Sequence, residues 1–199
     1  MTSRRHFLQI GVTAMAWPLV PSAAHGEWAG PADPGLASPL LGVVYDTRFA
    51  ESVAFARSSA VRELRAHAIA GDMTRLWYDE IYHHWRQRPT ALAGLTAHGP
   101  MFCFAELARD VGMRVVFRAE HRATADGALT HAFTGPLSML SAALDACGTP
   151  ARIWTAMADV VTHCPSGRTE IGSATRVSGT ARPGADPLYT WVIAPVVKS

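Results

Sequence analysis

Side chains that can carry charge or move a proton follow four short apolar runs in this sequence. In chain order they are Asp46, Arg48, Asp72, Thr96, His98, Glu120 and His121. Histidine and carboxylates are the usual groups of general acid–base catalysis, and arginine binds carboxylate or phosphate groups. The sequence therefore indicates a site made of the residues that follow these runs.

Two sets of roles are predicted for this site. The catalytic set has His98 as acid or base, with Asp46 or Glu120 orienting a partner. The ligand-binding set follows in chain order: Arg48, Asp72, Thr96, Gly99 and His121. The segment 94–100 contains two glycines before Pro100, and such a turn into a helix exposes amides that can hold an anion or an oxyanion. A purely structural turn is the alternative.

Helix capping is the competing explanation for the acidic residues. An aspartate directly after a strand is what the start of a helix requires, so Asp46 and Asp72 fit capping as well as binding. Arg48 is different, because a helix start disfavours a cation. Arg48 is therefore a candidate for holding a carboxylate or phosphate, with a solvated surface arginine as the alternative.

The nine histidines raise the question of a metal. His98, Glu120, His121 and His131 would converge if a late hairpin folded over the sheet edge. Many zinc enzymes have two ligand histidines at helical spacing, as in the motif His-Glu-x-x-His. Neither that motif nor His-x-x-x-His occurs in this sequence. We therefore predict no metal ligands, and the sequence does not identify a cofactor.

The three cysteines allow at most one disulfide within the chain. Cys147 and Cys164 lie near the ends of a predicted helix pair and are the preferred bond, which leaves Cys103 free. Cys103 falls in the first turn of a predicted helix, where thiolate formation is favoured. Cys103 therefore has two possible interpretations: it is a reactive thiol, or it is a small apolar residue that fills space in the core.

Strands and helices alternate through the first two thirds of the mature chain. Helices separate the predicted strands, which lie at 40–45, 61–68, 90–95 and 113–118. The second of these helices has the apolar stripe Met73, Trp77, Ile81 and His84. This alternation predicts an α/β domain over 40–199, with a three-layer, doubly wound and mainly parallel sheet. It resembles the flavodoxin or response-regulator architecture at the level of the fold. The carboxyl ends of such strands meet at one edge, where ligands bind.

The last third of the chain is predicted to be less regular. Asp126-Gly127 marks a hairpin turn, and two helices follow near 136–146 and 150–163. Residues 166–187 are rich in Gly, Ser, Thr and Arg and predict an irregular tail. Residues 188–194 are apolar enough for a last strand.

The amino terminus has the three regions of a secretory signal in order. Ser3-Arg4-Arg5-His6-Phe7-Leu8-Gln9 precedes an apolar segment at 10–20 and small residues before position 25. The first region resembles a twin-arginine signal and departs from it only at Gln9. The resemblance implies a signal at 1–24, a tether at 25–39, and export of the folded protein to the periplasm by the twin-arginine translocase. An uncleaved anchor is the alternative, although the apolar segment is shorter than the roughly 20 residues of a membrane span.

Charge limits the partners of the mature chain. Removal of Arg4 and Arg5 lowers the 18 basic residues to the same number as the 16 acids. A neutral chain argues against a surface for nucleic acid or for an anionic membrane. No stable membrane span is expected after the signal is cleaved. A binding or accessory protein, for a polar small molecule or for a larger exported redox enzyme, is therefore preferred. A periplasmic hydrolase or metal-dependent enzyme is the alternative.

Replacing Arg4 and Arg5 together by lysine is expected to keep the protein in the cytoplasm. The receptor of this pathway reads the paired guanidinium groups rather than charge alone. Fractionation of cells that express each form measures the effect. Undiminished export of the natural sequence in a strain without twin-arginine translocation would contradict the assignment.

Overall fold

The central sheet of the protein has seven strands. The structure is a computed structural model that describes residues 39–60, 64–165 and 169–195. The strands are β1 (Leu40–Asp46), β2 (Ala66–Ile69), β3 (Ala91–Ala97), β4 (Met113–Ala123), β5 (Ala128–Pro136), β6 (Ile171–Thr180) and β7 (Leu188–Pro195). Their order across the sheet is β2-β1-β3-β7-β4-β5-β6. The predicted signal at 1–24 and all but the last residue of the predicted tether lie outside the described residues.

Helices cover both faces of this sheet, which confirms the predicted α/β class. They are α1 (Ala50–Ala60), α2 (Thr74–Leu76), a π-helix (Trp77–Ile81), α3 (Tyr82–Gln87), α4 (His98–Arg109), α5 (Leu137–Ala146), a 3₁₀ turn (Pro150–Arg152) and α6 (Ile153–Thr162). One core contains Phe55 of α1 and Met157 of α6, and the other contains Trp85 of α3 and Phe104 of α4. The helices of the described part are each too short or too polar to cross a membrane.

The sheet is mixed, so the predicted mainly parallel, doubly wound sheet is wrong. Only β2, β1 and β3 pair in parallel, and the strands from β7 to β6 pair antiparallel. The difference comes from β7, which is buried from Leu188 to Ala194 and lies between β3 and β4. Strand–helix alternation compares neighbours in sequence, and it carries no signal for a strand that returns from the carboxyl terminus.

The first four strands nevertheless run in the same direction, as the sequence predicted. Since β3 and β4 are both antiparallel to β7, they run the same way as each other and as β1 and β2. The first three strands therefore end at one edge of the sheet, and β4 runs toward that edge.

A π-helix explains why one predicted core residue is wrong. The buried stripe of this helical segment is Met73, Trp77, Ile81 and Trp85, and His84 is only partly buried. Bonding from i to i+5 adds a residue to the turn. The stripe therefore advances by four residues at each step, to Trp85 rather than His84.

The carboxyl-terminal third is more regular than predicted. The fourth strand and the first arm of the hairpin form one continuous strand, β4, and Gly127 has the positive φ of +84° that its turn needs. Residues predicted to form an irregular tail include β6, an edge strand whose side chains are mostly exposed. An edge strand needs no apolar alternation, which explains why its sequence resembles a loop.

The predicted disulfide is wrong, because all three cysteines are free. Cys147 follows α5 and Cys164 follows α6, and a short connection joins the two helices. Neighbouring helices joined in this way run antiparallel, so their carboxyl ends point in opposite directions. The length of α6, about 15 Å for its ten residues, exceeds the Cα separation that a disulfide allows.

Candidate functional site

Tyr189 brings together two residues that the sequence assigned to the site. It lies near the start of β7, between β3 and β4, and is only 6% exposed. Its ring centroid is 5.4 Å from that of His98, and it is paired with Glu120 across the two strands. Burial raises the pKa of Tyr189, and the Glu120 carboxylate raises it further, while Arg122 and Arg118 lower it. The tyrosine hydroxyl therefore lies within the field of three charged groups.

The charged groups come from one face of β4. Arg118, Glu120 and Arg122 alternate along the strand, so they point to the same side. Arg122 Nε donates to Glu120 Oε1 over 2.9 Å, and this contact raises the pKa of Arg122. Both arginines are exposed. The surface beside Tyr189 therefore carries two guanidinium groups and one carboxylate.

The other half of the site is the start of α4. The rings of His98 and Phe102 stack with centroids 5.9 Å apart, and Phe102 is 52% exposed. A Cβ added at Gly99 would have no atom within 4 Å, and the N-cap residue Ala97 makes no side-chain hydrogen bond to the first amides of the helix. Uncapped amides at a helix start attract negative charge. The site thus combines an apolar ring surface with positive potential.

Asp46 is engaged in an internal ion pair instead. It is fully buried, and its two carboxylate oxygens accept from Arg48 Nε over 2.9 Å and Arg48 Nη2 over 2.6 Å. The Arg48 guanidinium also contacts Gly71, whose φ is +86° and where a Cβ would lie 2.5 Å from Arg48 Cζ. The carboxylate that Arg48 holds is therefore that of Asp46 in the same chain, and binding of a ligand by Arg48 stays a prediction. Asp46 is thus directed at Arg48 and not at a catalytic histidine.

Two further predicted residues have structural roles. Asp72 Oδ1 accepts from the backbone N–H of Thr74 over 2.8 Å, as the capping alternative predicted. A hydrogen bond with the Thr74 side chain, followed by this backbone bond, lowers the pKa of Asp72. Thr96 is buried, donates to the carbonyl of Ala97 and accepts from Trp191 Nε1 over 3.1 Å. Thr96 is paired with Tyr189 across β3 and β7, but its hydroxyl is already engaged by Ala97 and Trp191.

His121 belongs to the opposite face of the sheet from Glu120. It is buried, and its Nδ1 lies 2.6 Å from Nδ1 of His131 in β5. The predicted convergence of His98, Glu120, His121 and His131 therefore reduces to this pair. Among the described residues, no group of three or more His, Cys, Asp and Glu side chains is arranged to hold a metal ion.

The sequence reasoning missed Tyr189, Arg118 and Arg122. The two arginines had a signal, because Arg-x-Glu-x-Arg in a strand puts all three side chains on one face. Tyr189 had none, since its meeting with His98 depends on where β7 enters the sheet. Resemblance to other proteins does not supply the assignment either. Comparison with protein-family models, curated proteins and solved structures finds no match to this chain.

Proposed function

We propose that this protein is exported to the periplasm by the twin-arginine translocase and binds a small anionic molecule at the Tyr189 site. It acts there as a binding protein or as the accessory subunit of a larger exported redox enzyme. The paired Arg4 and Arg5 support the route. The single observation that carries the binding role is the position of Tyr189, with its ring against His98 and its hydroxyl beside Glu120 and Arg122.

The residues of the site favour a small aromatic carboxylate. Arginine matches a carboxylate with two parallel hydrogen bonds, and both Arg118 and Arg122 are exposed. The stacked rings of His98 and Phe102 offer a flat apolar surface for the ring of the ligand. Glu120 accepts a hydrogen bond, so a ligand hydroxyl improves the fit and an extra negative charge weakens it.

Binding is favoured over acid–base catalysis at this edge. The catalytic hypothesis needs a carboxylate that orients His98 or its partner. Asp46 is bound to Arg48 through both oxygens, and Glu120 is paired with Arg122. His98 therefore has no free carboxylate to orient it, whereas Tyr189, His98 and the exposed Arg118 can still contact a ligand, and Arg122 can contact it on the side that Glu120 does not use.

Arg122→Gln is expected to weaken the binding of 4-hydroxybenzoate by about tenfold or more, because it removes a charge-assisted contact of about 1.5–3 kcal/mol. Tryptophan fluorescence during titration measures the affinity, and benzylamine of the same ring size provides the cationic comparison. Arg75→Gln is the matched control, because Arg75 is an exposed arginine of α2 that is paired with Asp79 of the π-helix.

His98→Ala should also weaken binding while changing Tm by only a few degrees, because His98 is exposed.

Equal affinity for benzylamine and 4-hydroxybenzoate would rule out the anionic site. Equal loss of binding in Arg75→Gln and Arg122→Gln would show that overall charge, rather than this site, controls binding. Mass spectrometry of protein purified natively from the periplasm then identifies the natural ligand or partner subunit.

A further inference from the structure

A chain of hydrogen bonds runs across four strands on the face opposite the Tyr189 site. Ser178 Oγ in β6 lies 3.0 Å from Nε2 of His131, and His131 Nδ1 lies 2.6 Å from Nδ1 of His121. His121 Nε2 lies 2.8 Å from Oγ1 of Thr190 in β7. Each distance is that of a hydrogen bond. Hydroxyl, imidazole and a third orienting group stand in the order that nucleophilic catalysis uses.

We propose that Ser178, His131 and His121 form a nucleophilic site for acyl transfer, with a small ester as its substrate. Ser178 is the nucleophile and His131 is its general base. His121 is a positioning residue, because it acts on the substrate only through His131. This site is separate from the proposed binding site and does not depend on it.

The local backbone presents Ser178 at an irregular point of the edge strand. Thr130 pairs with Val177 and Ala128 with Thr180, so Ser178 and Gly179 stand opposite the single residue between them in β5. Gly179 has a φ of +68°, which glycine adopts without strain. Such bulges commonly lie beside active sites, where they set the direction of a side chain.

One arrangement of protons makes Ser178 reactive. Ser178 donates to His131 Nε2, His131 Nδ1–H donates to His121 Nδ1, and His121 Nε2–H donates to Thr190 Oγ1. The reverse arrangement satisfies the same contacts, and a shift of protons along the chain interconverts the two. The reactive arrangement leaves Nε2 of His131 as the acceptor that a general base must offer.

The surroundings keep both imidazoles neutral and fixed in place. Burial lowers the pKa of His121 well below its ordinary value, and the charge of His131 lowers it further. Burial also lowers the pKa of His131, while the backbone carbonyl of Ser178 raises it and so favours the imidazolium once a proton arrives. The Trp154 ring lies across His121, with centroids 5.1 Å apart. His131 is thus neutral at rest and has support for the charge that it must gain.

Ser178 is also reachable by a substrate. It is half-buried, in the edge strand, beside the exposed Val177 and Arg176. Burial raises the pKa of Cys147, while a hydrogen bond with Ser178 and the charge of Arg176 lower it. Arg176 is paired with His131 across β6 and β5, so its side chain lies on the same face as His131, where a cation can stabilise negative charge that develops on a carbonyl oxygen.

The reaction follows from these positions. Ser178 Oγ forms a bond to the carbonyl carbon of the ester, and the hydroxyl proton moves to His131 Nε2. The bond from that carbon to the alcohol oxygen breaks, and His131 returns the proton to the departing alcohol. Water then attacks the acyl-serine and gives a proton to His131. The acid leaves as the bond to Ser178 Oγ breaks and that oxygen recovers the proton.

Labelling with a fluorophosphonate tests the nucleophile in the full chain. Ser178 Oγ forms a bond to phosphorus, fluoride leaves, and the hydroxyl proton passes to His131, so intact-mass and peptide spectra place the adduct. We expect the adduct on Ser178 and its loss in Ser178→Ala. Ser173→Ala should label normally, because Ser173 is an exposed serine of the same strand that contacts Thr134. An unlabelled natural protein, or labelling that persists in Ser178→Ala, would overturn the proposal.

Variants of the histidines test the order of the chain. His131→Gln is expected to slow labelling on the order of 10²–10⁴-fold, the usual contribution of a general base. His121→Gln retains an acceptor toward His131 and should keep labelling within about tenfold, whereas His121→Leu should lose it. Circular dichroism and Tm establish that each variant is folded. A folded His121→Leu that labels at the natural rate would remove His121 from the site, and Ser178→Ala remains decisive if a histidine variant fails to fold.

Discussion

Lowering the pH from 7 to 5 is expected to destabilise the folded domain steeply. His121 and His131 are buried, and burial lowers the pKa of both imidazoles. In the unfolded chain a histidine titrates at about pH 6.5, so below that pH the unfolded state binds more protons than the folded state. The free energy of unfolding should therefore fall as the pH drops below about 6.5, by up to about 1.4 kcal/mol per pH unit for each histidine. The pKa of His67 is also lowered, chiefly by burial, so His67 adds to the effect.

Urea unfolding at pH 7.5, 6.5 and 5.5 measures this dependence. Carboxylates of ordinary pKa titrate near pH 4, so this range isolates the histidines. His131→Gln should make the dependence on pH shallower by the contribution of one histidine, whereas His83→Gln should leave it unchanged because His83 is exposed. A dependence as steep in His131→Gln as in the natural protein would show that other groups cause the loss.

Much of the local structure could be predicted because its signals are local. Gly112 and Gly127 mark the points where the chain turns between elements, and both have positive φ. The apolar runs before Asp46 and before His98 became β1 and β3. Such signals depend on residues within a few positions of one another, so they need no knowledge of the fold.

The order of the strands could not be predicted in the same way. The apolar run 188–194 was recognised as a strand, but nothing within it shows that it separates β3 from β4. The edge strand β6 was missed because its Gly, Ser and Thr residues have little apolar surface to bury. Pairing partners far apart in sequence are chosen by the whole sheet, and a single segment does not contain that choice.

The candidate site was likewise predictable where it depends on local sequence and unpredictable where it depends on strand order. The edge of the sheet that holds His98 and Glu120 followed from the direction of the strands. Their link through Tyr189 depends on the position of β7, so it had no sequence signal. Asp46 and Arg48 were both chosen for their chemistry, yet at a spacing of two residues they satisfy each other. Residue types with suitable chemistry therefore predicted the region of the candidate site, but they did not predict which side chains in that region are free to bind.

Gly94→Ala is expected to destabilise the domain strongly, although it adds only one methyl group. Gly94 lies in β3, and a Cβ there would be 2.5 Å from Cζ2 of Trp191 and 2.8 Å from the carbonyl oxygen of Val44. The Trp191 ring cannot move aside cheaply, because it is fully buried against Phe104 and donates its Nε1–H to Thr96. Overpacking of this kind costs about 1–3 kcal/mol or more. Thermal unfolding should show Tm lower by roughly 6–12 °C for a loss near 3 kcal/mol.

Gly99→Ala is the matched control five residues later, and it separates packing from the chemical change itself. A Cβ at Gly99 meets no atom within 4 Å, and the residue lies in the first turn of α4. Alanine restricts the unfolded chain more than glycine does, so Tm should stay the same or rise slightly. The alanine keeps its backbone N–H, so anion binding at the start of α4 should persist as well. A Gly94→Ala protein as stable as Gly99→Ala would mean that Trp191 has room to shift, and the close packing of β3 against β7 would be wrong.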